Sequence, residues 1–246
     1  MASVVKFTLG ADFGIQIVGF LVANLLKTEI FYDAFGSLAY LSVAIGTTYL
    51  HLNEYEDPKS NTNGWYSPQG GSLSLNLFVA GLVCVWATRL GSFLLYRVIQ
   101  TGHDSRFEKI KNNPLQFFVA WMMQGLWVCI VTSPLVLLNT KPSVAEISVD
   151  EGIDGLFLLG FVLWISGFLV ECVADYQKLK FKLTPGNRNQ WMDSGLWSFA
   201  RYPNYFGEMA LWWGFFAMCC IGFTNSTDYL TIVSPIFVMI LLLFVR

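Results

Sequence analysis

The sequence predicts an all-α fold: a polytopic membrane helix bundle of about seven transmembrane helices, forming a single membrane-embedded domain over residues 1–246. Three observations carry this expectation. Of the 246 residues, 54% are hydrophobic and only 13% charged, against about 25% charged in an ordinary soluble domain. The mean hydropathy is +0.52. Apolar runs also recur at the length a bilayer requires, roughly 17–25 residues for a hydrocarbon core about 30 Å thick. Fifteen basic and seventeen acidic side chains are too few to coat a soluble body of this size, which excludes a soluble enzyme.

The runs fall near 9–26, 34–52, 73–96, 115–138, 153–175, 205–224 and 228–245. The first is the weakest, because Asp12 lies inside it. All are continuous and lack the alternation of membrane β-strands, so helices are the expectation for each. Lys6 precedes a mixed segment rather than a compact apolar core with a small-residue cleavage site, so no cleavable signal peptide is expected.

Lys and Arg in the connecting segments orient the bundle. Arg97, Arg106, Lys109 and Lys111 follow the third run, and Lys178, Lys180, Lys182, Arg188 and Arg201 follow the fifth. With two runs between them, both basic loops emerge on one side, expected to be cytoplasmic. The segments 53–72 and 139–152 carry one lysine each, Lys59 and Lys141. Seven spans place both on the opposite side, with the N-terminus lumenal or outside and the C-terminus cytoplasmic. Asn225-Ser226-Thr227 is a glycosylation sequon that hugs the membrane on the lumenal side, where modification is not expected.

Several ligand classes are excluded. A net charge of −2 provides no basic field for nucleic acid. Cys84, Cys129, Cys172, Cys219 and Cys220 all sit in apolar runs without a CxxC pair, and His51 and His103 are far apart. Neither a disulfide framework nor a metal site is expected.

Charges inside the runs need a reason, since each costs on the order of 2.5–3.5 kcal/mol on insertion scales. Arg89 lies in the third run and Arg97 near its cytoplasmic end, on a stripe with Trp86 and Phe93. Glu171, Asp175, Lys178 and Lys182 are spaced by four, three and four, which stacks them on one helical face. Two readings follow: an ion pair between Arg89 or Arg97 and Glu171 or Asp175, with snorkelling lysines, or a polar cavity opening to the cytoplasm, with Trp86, Arg89 and Arg97 on a substrate cavity. The polar stretch 176–204 is long for a structureless loop, which points to function. Pro203 suits the first turn of a helix, and a helix beginning there aims free N–H groups at the cytoplasmic surface. With Arg201 just before it, that terminus can hold an anion. The alternative is an interfacial aromatic belt of Trp197, Tyr202, Tyr205, Trp212 and Trp213.

The stretch SGLWSFARYPNYFGEMALWWG (194–214) resembles the C-terminal signature of the steroid 5-alpha-reductase-like membrane family, in its DUF1295 branch. ECVADYQKLKFK (171–182), TRLGSFLLYRVIQTGHDSRF (88–107) and KTEIFYDAFGSLAYL (27–41) are similar to other segments of that family in the same order. The resemblance implies a helix bundle holding NADPH in a cavity open to the cytoplasm. A hydride would pass to an activated carbon–carbon double bond in a hydrophobic, lipid- or steroid-like substrate. It implies that Asp175 and Lys182 face the dinucleotide and that Asn204 and Glu208 hold its nicotinamide end. Arg201 and Tyr205 match the sterol-reductase form of the motif. Cofactor-binding candidates are thus Glu171, Asp175, Lys178, Lys182, Arg201, Asn204, Tyr205 and Glu208, the partners being a hydrophobic small molecule and membrane lipid.

Two departures qualify the implied chemistry. Where steroid reductases carry a carbonyl-polarising tyrosine, this chain has Trp86, whose indole has no acidic hydroxyl, and Glu54 is only the nearest candidate for the assisting carboxylate. No catalytic proton donor is assigned. The chain stops at Arg246 directly after an apolar run, so the polar tail of the resembled family is read as absent. Two other functions stay open. The shorter arginine–proline–tyrosine–glycine pattern is shared with S-adenosylmethionine-dependent lipid and isoprenylcysteine methyltransferases, and a non-catalytic membrane scaffold fits Trp86. Location in the endoplasmic reticulum is the family-level expectation.

Overall fold

A computed structural model describes residues 2–55, 73–102, 104, 106–141, 146–147, 154–187 and 190–244. Lys59, His103, Arg188 and Arg246 lie outside the described residues. Seven α-helices account for the seven apolar runs: α1 (Ala2–Leu26), α2 (Tyr32–Tyr55), α3 (Leu75–Thr101), α4 (Pro114–Leu138), α5 (Gly155–Leu183), α6 (Pro203–Cys220) and α7 (Val233–Phe244). The only strand pairing among the described residues joins two-residue β1 (Leu73–Ser74) to β2 (Glu146–Ile147). Five segments are long and apolar enough to cross a bilayer: α1, α3, α4, α5, and Ser226–Phe244, which joins a 3₁₀ segment to α7. This is consistent with an integral multi-pass membrane protein. Helices α2 and α6 fall short: α2 carries Asp33, Thr47, Thr48, His51 and Glu54, and α6 opens with Asn204 and Glu208 in only 18 residues.

The chain divides into two compact units, residues 1–152 with 222–228, and residues 153–221 with 229–246. In the first, α2 packs against α1, α3 and α4. Helix α3 ends at Gly102, whose φ of 81° is the left-handed conformation of a helix C-cap and whose N–H reaches Val98 O. Helix α4 starts on Asn113, whose side chain accepts from Leu115 N and Gln116 N, with Pro114 in the first turn. Asp12, the acid in the weakest run, is fully buried. Its carboxyl oxygens accept from Cys129 Sγ at 3.1 Å on α4 and from Gln16 Nε2 at 3.4 Å. An aromatic core of Tyr32, Phe35, Phe107, Phe117 and Trp121 packs by ring edges and tilted faces, with Tyr32 4.6 Å from Phe107 and 5.1 Å from Trp121. Trp86 is buried beside Tyr40, ring centroids 5.0 Å apart.

An ionic network closes one end of this unit. Arg106 bonds Asp104 and Asp33, Arg97 lies 3.9 Å from both acids, and Lys111 bonds Glu29 at 3.0 Å. Arg97, for which the sequence left open a pairing with Glu171 or Asp175, has its acids within its own unit. Burial alone would raise Glu29, but the Lys111 ammonium and the Asp104 N–H outweigh it and hold the carboxyl below its ordinary 4.5. Asp104 is likewise raised by burial, then held below 3.8 by the Arg106 guanidinium.

In the second unit α5 and α6 form the largest helix pair, and α7 packs on α6. Their contact is made by glycines seven residues apart. A Cβ on Gly167 would stand 2.5 Å from Gly207 O and 2.7 Å from Leu211 N; one on Gly160 would stand 2.8 Å from Gly214 O. Reciprocally, a Cβ on Gly207 would stand 2.6 Å from Gly167 O. Apolar lipid tails provide no hydrophobic drive between helices, so close backbone approach through small residues supplies the contact. Helix α5 has 29 residues, hence about 43 Å of length, which exceeds a core of about 30 Å. The sequence placed the end of this run at 175 and a loop over 176–204. The helix instead continues to Leu183, because the polar stretch after Asp175 contains no glycine or proline before Pro185.

Candidate functional site

The extension of α5 and the start of α6 build the site within the second unit. Glu171, Asp175, Lys178 and Lys182 lie on the continuous helix, as their spacing implied. Past Leu183 the chain turns back and is tied to the same helix at three points. Lys182 Nζ donates to Gln190 O at 2.8 Å, Leu196 N donates to Gln177 Oε1 at 3.0 Å, and Trp197 Nε1 donates to Ala174 O at 3.0 Å. Gly195 begins a 3₁₀ turn, Gly195–Ser198, at φ 62°, and a Cβ there would stand 2.7 Å from the Gln177 amide, so both its conformation and its space call for glycine.

These ties leave a cleft of about 740 Å³ lined by Lys178, Lys182, Gln190, Trp191, Met192, Trp197, Arg201 and Tyr202. That is within the size of small-molecule sites, about 300–1,000 Å³. Its cations stand against aromatic faces: Lys178 Nζ is 4.5 Å from the Trp197 ring, and Arg201 Cζ is 5.4 Å from Trp191 and 5.5 Å from Tyr202. Among the described residues, two lysines, an arginine and no carboxylate make a lining suited to an anion that carries a planar or apolar part.

Immediately after Tyr202, Pro203 occupies the first turn of α6, as its missing N–H predicts. Asn204 Nδ2 donates to Asp175 Oδ1 at 3.2 Å. Only the NH₂ end of an amide can face a carboxylate oxygen, which fixes the amide's orientation. The other end, Asn204 Oδ1, is a buried acceptor with no hydrogen-bond donor among the described residues. One turn on, Glu208 is buried, as are Glu171 and Asp175. Tyr205 stacks on Tyr202 at 5.2 Å.

The structure thus brings Lys178, Lys182 and Arg201 to one cleft, joins Asp175 to Asn204, and sets Tyr205 against a cleft residue. Trp86, Arg89 and Arg97 belong to the other unit. There Trp86 is packed in the core and Arg89 lies 5.5 Å from the Phe93 ring. Sequence reasoning missed Gln190, Trp191 and Met192 as lining, and Gln177 as the tether of the 3₁₀ turn. Trp191 sits ten residues from Arg201 in an irregular segment, so no periodicity joins them. Trp197 and Tyr202, considered for an interfacial belt, line the cleft.

A family model described as a protein of unknown function, DUF1295, matches residues 20–246. No curated protein and no solved structure matches the chain.

Proposed function

The chain belongs to the DUF1295 family, and from that premise we propose that it is a membrane-embedded, NADPH-dependent reductase of a carbon–carbon double bond in a hydrophobic, lipid- or steroid-like substrate. The observation that carries this reading is Asn204, tied to Asp175 by one end of its amide and left with a buried, unpaired acceptor at the other. A nicotinamide carboxamide offers the N–H₂ that such an acceptor lacks. Glu208, buried one turn along α6, is the second group for that end of the cofactor. Lys178, Lys182 and Arg201 hold the phosphates, and Trp191, Trp197 and Tyr202 supply faces for a planar ring. When bound, NADPH supplies the hydride. The protein's own part is to hold the dinucleotide by both ends and to keep its reacting ring in a site shielded from water. The resemblance to the steroid 5-alpha-reductase-like family supports the same assignment. The basic residues at 178–201 support a cleft that opens to the cytoplasm, and the resemblance to the family supports the endoplasmic reticulum as the membrane.

The test is cofactor binding by the detergent-purified chain. Asn204→Ala and Glu208→Ala are each expected to weaken NADPH binding roughly ten- to hundredfold, the equivalent of about 1.5–3 kcal/mol for a hydrogen bond to a charged or buried group. Unchanged affinity in both variants removes the assignment.

A further inference from the structure

The cleft carries more detail than the presence of phosphates, and this step rests on the reading just given. We infer that Arg201 is the residue by which the protein tells a 2′-phosphorylated dinucleotide from its unphosphorylated counterpart, its guanidinium taking the ribose 2′-phosphate. In Rossmann-type sites a carboxylate on the ribose hydroxyls goes with the unphosphorylated form and an arginine with the 2′-phosphate, and the same charge logic applies in any fold. Among the described residues, the lining contains Lys178, Lys182 and Arg201 and no Asp or Glu. A carboxylate in that position would repel the phosphate.

Among these cations Arg201 has the most to offer a new anion. It makes no hydrogen bond or ion pair among the described residues, and its contacts are to ring faces, Trp191 at 5.4 Å and Tyr202 at 5.5 Å. Contacts to ring faces use none of the guanidinium's N–H donors, and those donors are what bind two phosphate oxygens at once. Lys182 is placed differently, because its ammonium already donates to the Gln190 carbonyl, a contact that holds the returning chain on α5. Arg201 therefore selects, while Lys182 also serves the shape of the cleft.

The experiment is calorimetric titration of the full chain in nanodiscs with NADPH and NADH, alongside competition of NADPH by 2′,5′-ADP and by 5′-ADP. The wild-type chain is expected to prefer NADPH over NADH at least tenfold, and 2′,5′-ADP over 5′-ADP by a similar factor. Arg201→Gln is expected to bring the NADPH/NADH ratio near one by weakening NADPH alone, and Arg201→Lys to restore part of it. If Arg201→Gln weakens both dinucleotides equally, the residue reads the pyrophosphate and the inference is overturned, while the reductase reading stands. The same holds if the two ADP isomers compete equally on the unaltered protein, a result that does not depend on any variant folding. If the wild-type chain binds neither dinucleotide, the reductase reading falls and the inference with it.

Discussion

Glu29 and Lys111 show how a single pair sets a measurable property of the protein. The carboxyl is buried and held below its ordinary 4.5 by Lys111, and Asp104 is held below 3.8 by Arg106. A depressed folded value means that unfolding takes up a proton once the solution is acidic enough. The stabilisation is therefore complete above the unfolded value and disappears as pH falls through the folded one. Thermal unfolding of the purified chain, followed by tryptophan fluorescence, is expected to have a flat midpoint from about pH 8 to pH 5.5 and a falling one below roughly pH 4.5. Lys111→Met leaves Glu29 buried without its ammonium. The midpoint difference from wild type should be greatest near neutrality and should shrink toward pH 4 as Glu29 protonates. A difference that grows on acidification would contradict the assignment. Individual side chains were unevenly legible at this scale. The spacing of Glu171, Asp175, Lys178 and Lys182 was readable because a helix makes three- and four-residue steps into one face. The partners of Arg97 were not, since Asp33 is 64 positions away in sequence and only packing of α2 against α3 brings it near.

Between elements, the contact of α5 with α6 rests on backbone approach. Gly160 and Gly167 on one helix, and Gly207 and Gly214 on the other, leave no room for a Cβ. Gly167→Leu and Gly207→Leu are each expected to destabilise the protein by at least the 1–3 kcal/mol typical of overpacking, because the obstructing atoms are main chain and cannot rotate away. The same helix pair carries Asp175 and Asn204, so NADPH affinity should fall together with stability. Gly81→Ala is the control: nothing lies within 4 Å of a Cβ there, and a helical glycine replaced by alanine should gain about 0.5–1 kcal/mol. Denaturant unfolding in mild detergent reads all three. Pro203 as the start of α6 was legible because its chemistry is local. The end of α5 was not, because the polar residues after Asp175 read as loop in a membrane context while being good helix formers.

For the molecule as a whole, hydropathy sufficed to find the seven α-helices among the described residues, since each run must satisfy its backbone internally wherever it meets lipid. Five of the segments are apolar enough to cross a bilayer by length and composition, while α2 and α6 carry polar groups: Thr47, Thr48 and His51 are buried in α2, and Glu208 in α6. The cleft walls were the least legible feature, being made by an irregular segment that folds back on α5 through Gln177, Trp197 and Lys182. Ligand linkage gives a whole-chain prediction. NADPH at a hundred times its dissociation constant should stabilise the folded protein by about 2.7 kcal/mol, seen as a higher unfolding midpoint, and at the same concentration Asn204→Ala should retain only about 0.4–1.4 kcal/mol of that stabilisation. The most direct test of the central claim is calorimetry of the purified chain with NADPH and S-adenosylmethionine side by side. Micromolar binding of NADPH, weakened in Asn204→Ala and Glu208→Ala, is the expected result. Binding of S-adenosylmethionine in its place, or NADPH binding indifferent to both substitutions, would contradict it.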